Sequence, residues 1–403
     1  MSNGQRNIKQ KSTILAIILV IYIYVPYFAN ILENTFKISS LYEYIIYMML
    51  AIIAIGTTMS MNKRVLTFLF VFCSAIIINY IVVPYRYYVF IEGIQALVGI
   101  AVPCLCVSNN IFDLRIFVEK WWKFSKLNLP LVLVAVVLLK QGLVHYSIFT
   151  SICVPNVFIG SYMVLQGIEK RKWLYINVAI NILVTAVLGG RMSAVISACM
   201  ILFAYVYSGK IKLWKKLIII VGLVVSAYIL LNNLIDILYW VSQKLAQYGM
   251  QSRSVTLLIN QIKSNEIYLT NRDYIYTACV EYIRGRVGLP GGFGIPLYIT
   301  SGEYYYAHNV VLQFLTFFGI WGTIIILGIT LIRARTIKYI APLKCKKFMY
   351  FMLLCYIGIG MTGSSISLPI ILMQLLWRIS QTMSASAAAT CSVLLNRCLV
   401  SRQ

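Results

Sequence analysis

TNRDYIYTACVEYIRGRVGLPGGFGIPLYITSGEYYYAHNVVLQFLTFFGIWG, residues 270–322, carries the chain out of its one long polar segment and into an apolar run. The first half holds Arg272, Asp273, Glu281, Arg284 and Arg286. From Ala307 to Gly322 there is no Asp, Glu, Lys or Arg. Such a switch reads as a membrane boundary, because a helix needs about 20 mostly apolar residues to cross the hydrocarbon core. The stretch also carries His308, one of only two histidines.

Outward from this stretch, most of the chain is apolar. Of 403 residues, 61% are hydrophobic and 11% charged, against about 25% charged in soluble domains. That deficit excludes a soluble globular protein. Apolar runs recur along the whole length, and no ten-residue alternation of a β-barrel is present. The expected fold is all-α: a polytopic helical membrane protein with about 12 transmembrane helices and one large extracytoplasmic loop.

The runs begin at about Ser12–Leu32 and continue at 42–60, 65–84, 88–107, 127–145, 148–168, 173–189, 191–208 and 216–235. After the polar segment they resume at 307–332, 348–364 and 366–385. Pro130 and Lys140 interrupt the fifth. This divides the chain into an N-terminal membrane bundle (1–235), a loop with short helices (236–306), and a C-terminal bundle with a short tail (307–403). Arg6, Lys9 and Lys11 precede the first run, which is too long for a signal-peptide core and reads as an uncleaved span.

Charge tests the count. The net charge is +24, from 35 Lys and Arg against 11 Asp and Glu. With the N-terminus in the cytoplasm, 25 of the 35 basic residues fall on the inside. The positive-inside rule then places both termini in the cytoplasm and the 236–306 loop outside. The basic excess is explained by topology and needs no nucleic-acid partner. The cytoplasmic loops are too short for a nucleotide-binding domain, and neither a P-loop nor an Asp-x-Asp pair is present. Any chemistry must draw on a bond already at the membrane. The ten cysteines show no disulfide framework and no zinc spacing, and no metal or cofactor is expected.

Within the loop, Leu238, Val241, Leu245 and Tyr248 recur at helical spacing. Thr270 and Asp273 resemble a capping box opening a helix through about Ile283. The turn Arg284–Gly294, RGRVGLPGGFG, has two readings: backbone N–H groups cradling a phosphate, or an ordinary flexible loop.

Several side chains are candidates for chemistry. Arg191 follows Gly189-Gly190 at the outer end of the eighth run, where topology asks for no cation; the plainer alternative is a snorkelling arginine. Arg272 opens the loop helix and suits a diphosphate, because its planar fork binds two oxygens and keeps its charge. Its alternative is a salt bridge to Asp273, Glu281 or Glu303. His308 carries an imidazole, the side-chain type suited to accepting a proton near neutral pH; its alternative is an interfacial belt residue. Glu92 lies inside the fourth run, with Arg86 or Arg191 as partners, in a binding role or as a packing ion pair. The 29 tyrosines mostly suit an aromatic belt.

Gly190-Arg191-Met192-Ser193-Ala194, Asn271-Arg272-Asp273, and Ala307-His308-Asn309-Val310-Val311-Leu312 leading to Gly319 and Gly322 together resemble the O-antigen ligase and Wzy-type polysaccharide polymerase superfamily. The resemblance covers the topology and the region from Gly189 to Gly322. It implies an integral glycosyltransferase of the bacterial cytoplasmic membrane. The donor and acceptor are undecaprenyl-diphosphate-linked oligosaccharides, used without metal or cofactor. Expected associates are membrane lipid, a chain-length regulator and a flippase. The resemblance gives catalytic roles to His308, Arg191 and Arg272, and substrate-binding roles to Arg284, Arg286, Glu92 and Asn309. The paired Arg…Gly loop motifs of some polymerases are absent in strict form, and the loop is of modest size. The polymerase branch is the primary expectation, with a ligase acting on lipid A-core as the enzyme alternative. A lipid-linked oligosaccharide flippase is the rival of another class, although no internal repeat is visible. A membrane scaffold without chemistry is the third.

Overall fold

The computed structural model describes residues 3–37, 41–58, 63–101, 114–166, 172–207, scattered positions between 212 and 228, 232–264, 272–340, and Phe351. Among them every regular element is helical. The chain divides into two compact units, each assembled from segments far apart in sequence. The first comprises Met1–Leu19, Tyr47–Phe117 and Tyr274–Gln403; the second comprises Val20–Ile46 and Val118–Asp273.

Among the described residues, three helices are long and apolar enough to cross a membrane: Lys9–Phe36 within α1 (Asn3–Phe36), Ser147–Leu165 within α7 (Ser147–Gln166), and Val310–Gly328 within α14 (Val310–Ile340). A fourth candidate is the bent pair α5 (Leu114–Leu127) and α6 (Leu129–Lys140), whose axes differ by 43°. Pro130 lies in the first turn of α6, where its missing N–H costs least. The break therefore falls where the fifth apolar run was already interrupted. The remaining apolar helices are shorter: parts of α2 (Leu41–Thr58) and α3 (Lys63–Val82), then α8 (Lys172–Leu188) and α9 (Arg191–Val206). At 1.5 Å per residue, a 17-residue helix reaches about 25 Å, short of the roughly 30 Å core. The expected runs at 348–364 and 366–385, most of 216–235, and the end of 88–107 lie outside the described residues.

In the second unit α7 packs against α8 and α9, and α8 and α9 pack against each other. A polar chain threads this apolar interior. Trp121 Nε1 donates to Tyr24 Oη at 3.1 Å, and Tyr24 Oη donates to Asn156 Oδ1 at 2.6 Å. Asn156 Nδ2 donates to Asn181 Oδ1 at 3.0 Å, and Asn181 Nδ2 donates to Asn177 Oδ1 at 3.0 Å. Each of these side chains is buried. In a low-dielectric interior such groups must satisfy one another, so the chain ties α1, α5, α7 and α8 into one arrangement. The loop region adds two helices, α10 (Leu234–Gln247) and α11 (Arg253–Ser264), joined through Leu238, Val255 and Ile259. α10 matches the helical spacing read from the sequence, whereas α11 was not anticipated.

In the first unit α4 (Arg86–Ala96) runs into a π-helical turn, Leu97–Ala101. α13 (Ile295–Ile299) is a wedge of one turn. Ile295 packs on Val83, Tyr85 and Val89, while Ile299 also reaches the cluster of Ile275, Cys279 and Ala307. α12 (Arg272–Gly285) supplies Ile275 and Cys279. Its start agrees with the expected helix, although Thr270 and Asn271 lie outside the described residues.

α14 supplies a candidate span inside the run expected at 307–332, with an irregularity the run does not reveal. It breaks at Gly319, whose φ of 66° is open to glycine and costly for other residues. The loop Gly288–Gly292 fills the break: Gly291 N donates to Thr316 O at 3.0 Å, Gly292 N to Phe317 O at 3.1 Å, and Ile320 N to Gly288 O at 2.8 Å. A Cβ on Gly319 would lie 2.7 Å from Pro290 N, too close for a side chain.

Candidate functional site

The site in the first unit is built around the turn from Thr300 to Asn309. His308 sits in it with φ 52°, a left-handed conformation that a non-glycine residue adopts at a cost. Hydrogen bonds through three side chains, those of Gln313, Tyr276 and Asn309, hold the turn. Ala307 N donates to Gln313 Oε1 at 2.7 Å, Tyr276 Oη donates to His308 O at 3.2 Å, and Asn309 Oδ1 accepts from Val311 N at 2.9 Å and Leu312 N at 3.3 Å. Asn309 is thus the N-cap of α14. Its contacts are local and structural, which does not match the substrate-binding role implied for it. The His308 ring lies 4.4 Å from the Tyr306 ring and meets Tyr304 edge-on at 5.8 Å. Cys279, buried behind the turn, has its thiol pushed up to about 12 by burial, so it stays protonated and unreactive.

Glu92 reaches this turn through Gln313. Gln313 Nε2 donates to Glu92 Oε1 at 3.4 Å, and Gly294 N donates to Glu92 Oε2. The cationic partner expected for Glu92 is therefore replaced by two neutral donors. The physical reason is position: α4 faces the glycine-rich loop and α14, whose groups nearest the carboxylate are amides.

The same contacts correct the phosphate-cradle reading of Arg284–Gly294. Gly291 and Gly292 donate to carbonyls of α14, Phe293 N donates to Asn79 Oδ1 at 2.9 Å, and Gly294 N is taken by Glu92. Asn79 Nδ2 and Tyr85 Oη both donate to Gly291 O, at 3.5 and 2.9 Å. These donors are committed to the protein, because an α-helix broken in an apolar setting leaves carbonyls that need partners. Arg284 and Arg286 are exposed at the end of α12. Arg286 Nη1 donates to Tyr282 Oη at 3.2 Å, and its guanidinium lies 5.8 Å from that ring. Any diphosphate recognition here belongs to these two side chains rather than to the loop backbone.

Arg191 and Arg272 belong to the second unit. Arg191 is the first residue of α9, after Gly190, which offers no side-chain cap. The segment before it is clamped from α11: Ser252 Oγ donates to Val187 O and Ser254 Oγ to Gly189 O. Beside it Thr150 and Ser193 share a hydrogen bond of 2.9 Å. Arg253, between the two clamping serines, places its guanidinium 5.3 Å from the Tyr146 ring. His145, next to Tyr146, has its pKa lowered by burial and, to a lesser extent, by the charge of Arg253. Arg272 is half-buried at the start of α12.

The arrangement in the first unit therefore couples His308, Gln313 and Glu92, and sets the exposed guanidinium groups of Arg284 and Arg286 at the end of α12. It can present an imidazole to a hydroxyl group and cations to an anionic leaving group. Sequence reasoning missed Gln313, Asn79, Tyr276 and Arg253. Gln313 and Asn79 carried a usable signal, since each is an amide set among apolar residues of a run, where polar side chains are functional or pair-forming. Tyr276 and Arg253 carried none. No family model matches this chain, and no curated protein matches it.

Proposed function

We propose that this protein is a membrane glycosyltransferase that polymerises undecaprenyl-diphosphate-linked oligosaccharide repeat units at the outer face of the bacterial cytoplasmic membrane. In this reading the chain crosses twelve times, with both termini inside and residues 236–306 outside. It belongs with the O-antigen ligase and Wzy-type superfamily that its Gly-Arg and His-Asn segments resemble. The observation that carries the proposal is His308 held in a costly left-handed turn at the head of α14. Backbone strain of this kind clusters at functional sites. Lys37, Val287 and Ser301 share the positive φ. What sets His308 apart is its place beside an Ala307 N–H tied to the buried Gln313 and through it to Glu92.

The chemistry is a single displacement. A sugar hydroxyl of the acceptor attacks the anomeric carbon of the donor, forming a new C–O bond. The bond between that carbon and the diphosphate oxygen breaks, and lipid diphosphate leaves with the electron pair. His308 takes the hydroxyl proton. Arg284 and Arg286 suit the diphosphate, and the family resemblance gives Arg191 and Arg272 the role of stabilising the charge growing on the leaving group. No nucleotide or metal enters the step. The product is inverted at the anomeric centre.

Polymer formation in cells carrying His308→Ala or Arg272→Ala tests the reading, with protein level checked by blot. Each substitution is expected to lower polymer by about 100-fold or more, the usual scale for a lost general base or a lost charge stabiliser. Single repeat units should accumulate on the lipid carrier. Unchanged polymer length in both variants removes the proposed site and moves a transporter ahead. Normal polymer missing only from lipid A-core selects the ligase.

A further inference from the structure

We propose that Gln313 and Glu92 act together as positioning residues for His308: the Gln313 amide, held by the Glu92 carboxylate, fixes the turn that carries the imidazole. The catalytic consequence rests on reading His308 as the proton acceptor, whereas the positioning rests on geometry.

Gln313 is 3% exposed, on a helix whose neighbouring residues are almost all apolar. An amide side chain has one accepting and one donating end, and the Ala307 N–H, which only donates, takes the accepting end. The Gln313 NH2 group is thereby turned to Glu92 Oε1, which holds it there. Glu92 is itself held, because its second oxygen accepts from Gly294 N. The result is a fixed line from α4 through α14 to the residue next to His308. A left-handed residue does not keep its conformation unaided. Without the Gln313 oxygen, the buried Ala307 N–H loses its acceptor and the turn relaxes.

The experiment uses the full-length chain in nanodiscs with ¹⁵N-labelled histidine. Because there are two histidines, His145 serves as the internal reference, assigned through His145→Gln. Gln313→Leu removes both contacts. Gln313→Glu sets a carboxylate against Glu92. The swap, Glu92→Gln with Gln313→Glu, restores every bond in reverse: the new carboxylate at 313 accepts from Ala307 N and from the amide at 92, whose oxygen accepts from Gly294 N. Both single variants are expected to move the His308 ring signals and leave those of His145 in place; the swap returns them. In cells, polymer should fall by about 100-fold in the single variants, the scale set by a displacement near 1 Å in a reacting group. It should recover in the swap.

Unmoved His308 signals in both single variants overturn the proposal. Should those variants fail to accumulate, the swap decides alone: wild-type His308 signals support the proposal and displaced ones overturn it. Signals that move and recover while polymer stays normal uphold the positioning and remove His308 from the proposed chemistry.

Discussion

At the scale of single residues, environment rather than identity separates the two histidines. His308 stands in a left-handed turn between tyrosine rings, while His145 lies beside Arg253 with Nδ1 3.2 Å from Ser147 Oγ. Burial first, and the Arg253 charge second, hold the His145 pKa below its usual value. The folded chain therefore binds fewer protons at this site than the unfolded chain. Its contribution to stability is present above about pH 6.5, the unfolded value, and is lost as pH falls below it. The thermal midpoint of the detergent-purified chain should drop between about pH 7.5 and pH 5, and His145→Gln should flatten that drop. An equal slope in the variant would show that acid acts elsewhere. The sequence displayed both histidines but not this contrast, because Arg253 and Tyr146 are over a hundred positions apart.

At the scale of elements, the break in α14 is the feature that composition concealed. Residues 310–332 are uniformly apolar apart from Gln313 and a few hydroxyls, so a single glycine at 319 leaves the hydrophobic pattern intact. What makes Gly319 a break is the loop Gly288–Gly292, whose donors stand in for the helix's own. Gly319→Ala must accept a positive φ and a Cβ against Pro290 N. The expected cost is about 2–3 kcal/mol, read as a lower midpoint in thermal unfolding. Gly328→Ala is the control, since a Cβ there meets nothing within 4 Å. The same blindness applies to the polar chain of Tyr24, Trp121, Asn156, Asn177 and Asn181. Each amide was visible as an interruption in an apolar run, but a one-dimensional pattern does not say which interruptions meet. Asn181→Leu strands the Asn156 and Asn177 amides and should cost about 1–2 kcal/mol in the same measurement.

At the scale of the whole molecule, the helical class, the apolar helices of span length and the helices near 234–247 and 272–285 were legible, because each rests on a local signal, apolar spacing for the first and an acidic first turn at Asp273 for the last. The two units were not, since each is assembled from segments separated by most of the chain's length. The reading of twelve crossings rests on apolar runs and its orientation on charge distribution, so both are tested by charge-independent labelling. Single cysteines placed at 250 and 290 should react with a membrane-impermeant maleimide from outside, and one placed at 212 should not. Synthesis order adds a constraint. Asn79 and Glu92 leave the ribosome some 200 residues ahead of the loop that receives them. During that interval two polar side chains, each set in an apolar run, lack the Phe293 and Gly294 donors that later meet them. A chain truncated short of 290 should therefore be degraded faster than the full chain in a pulse-chase, however well its earlier helices have formed.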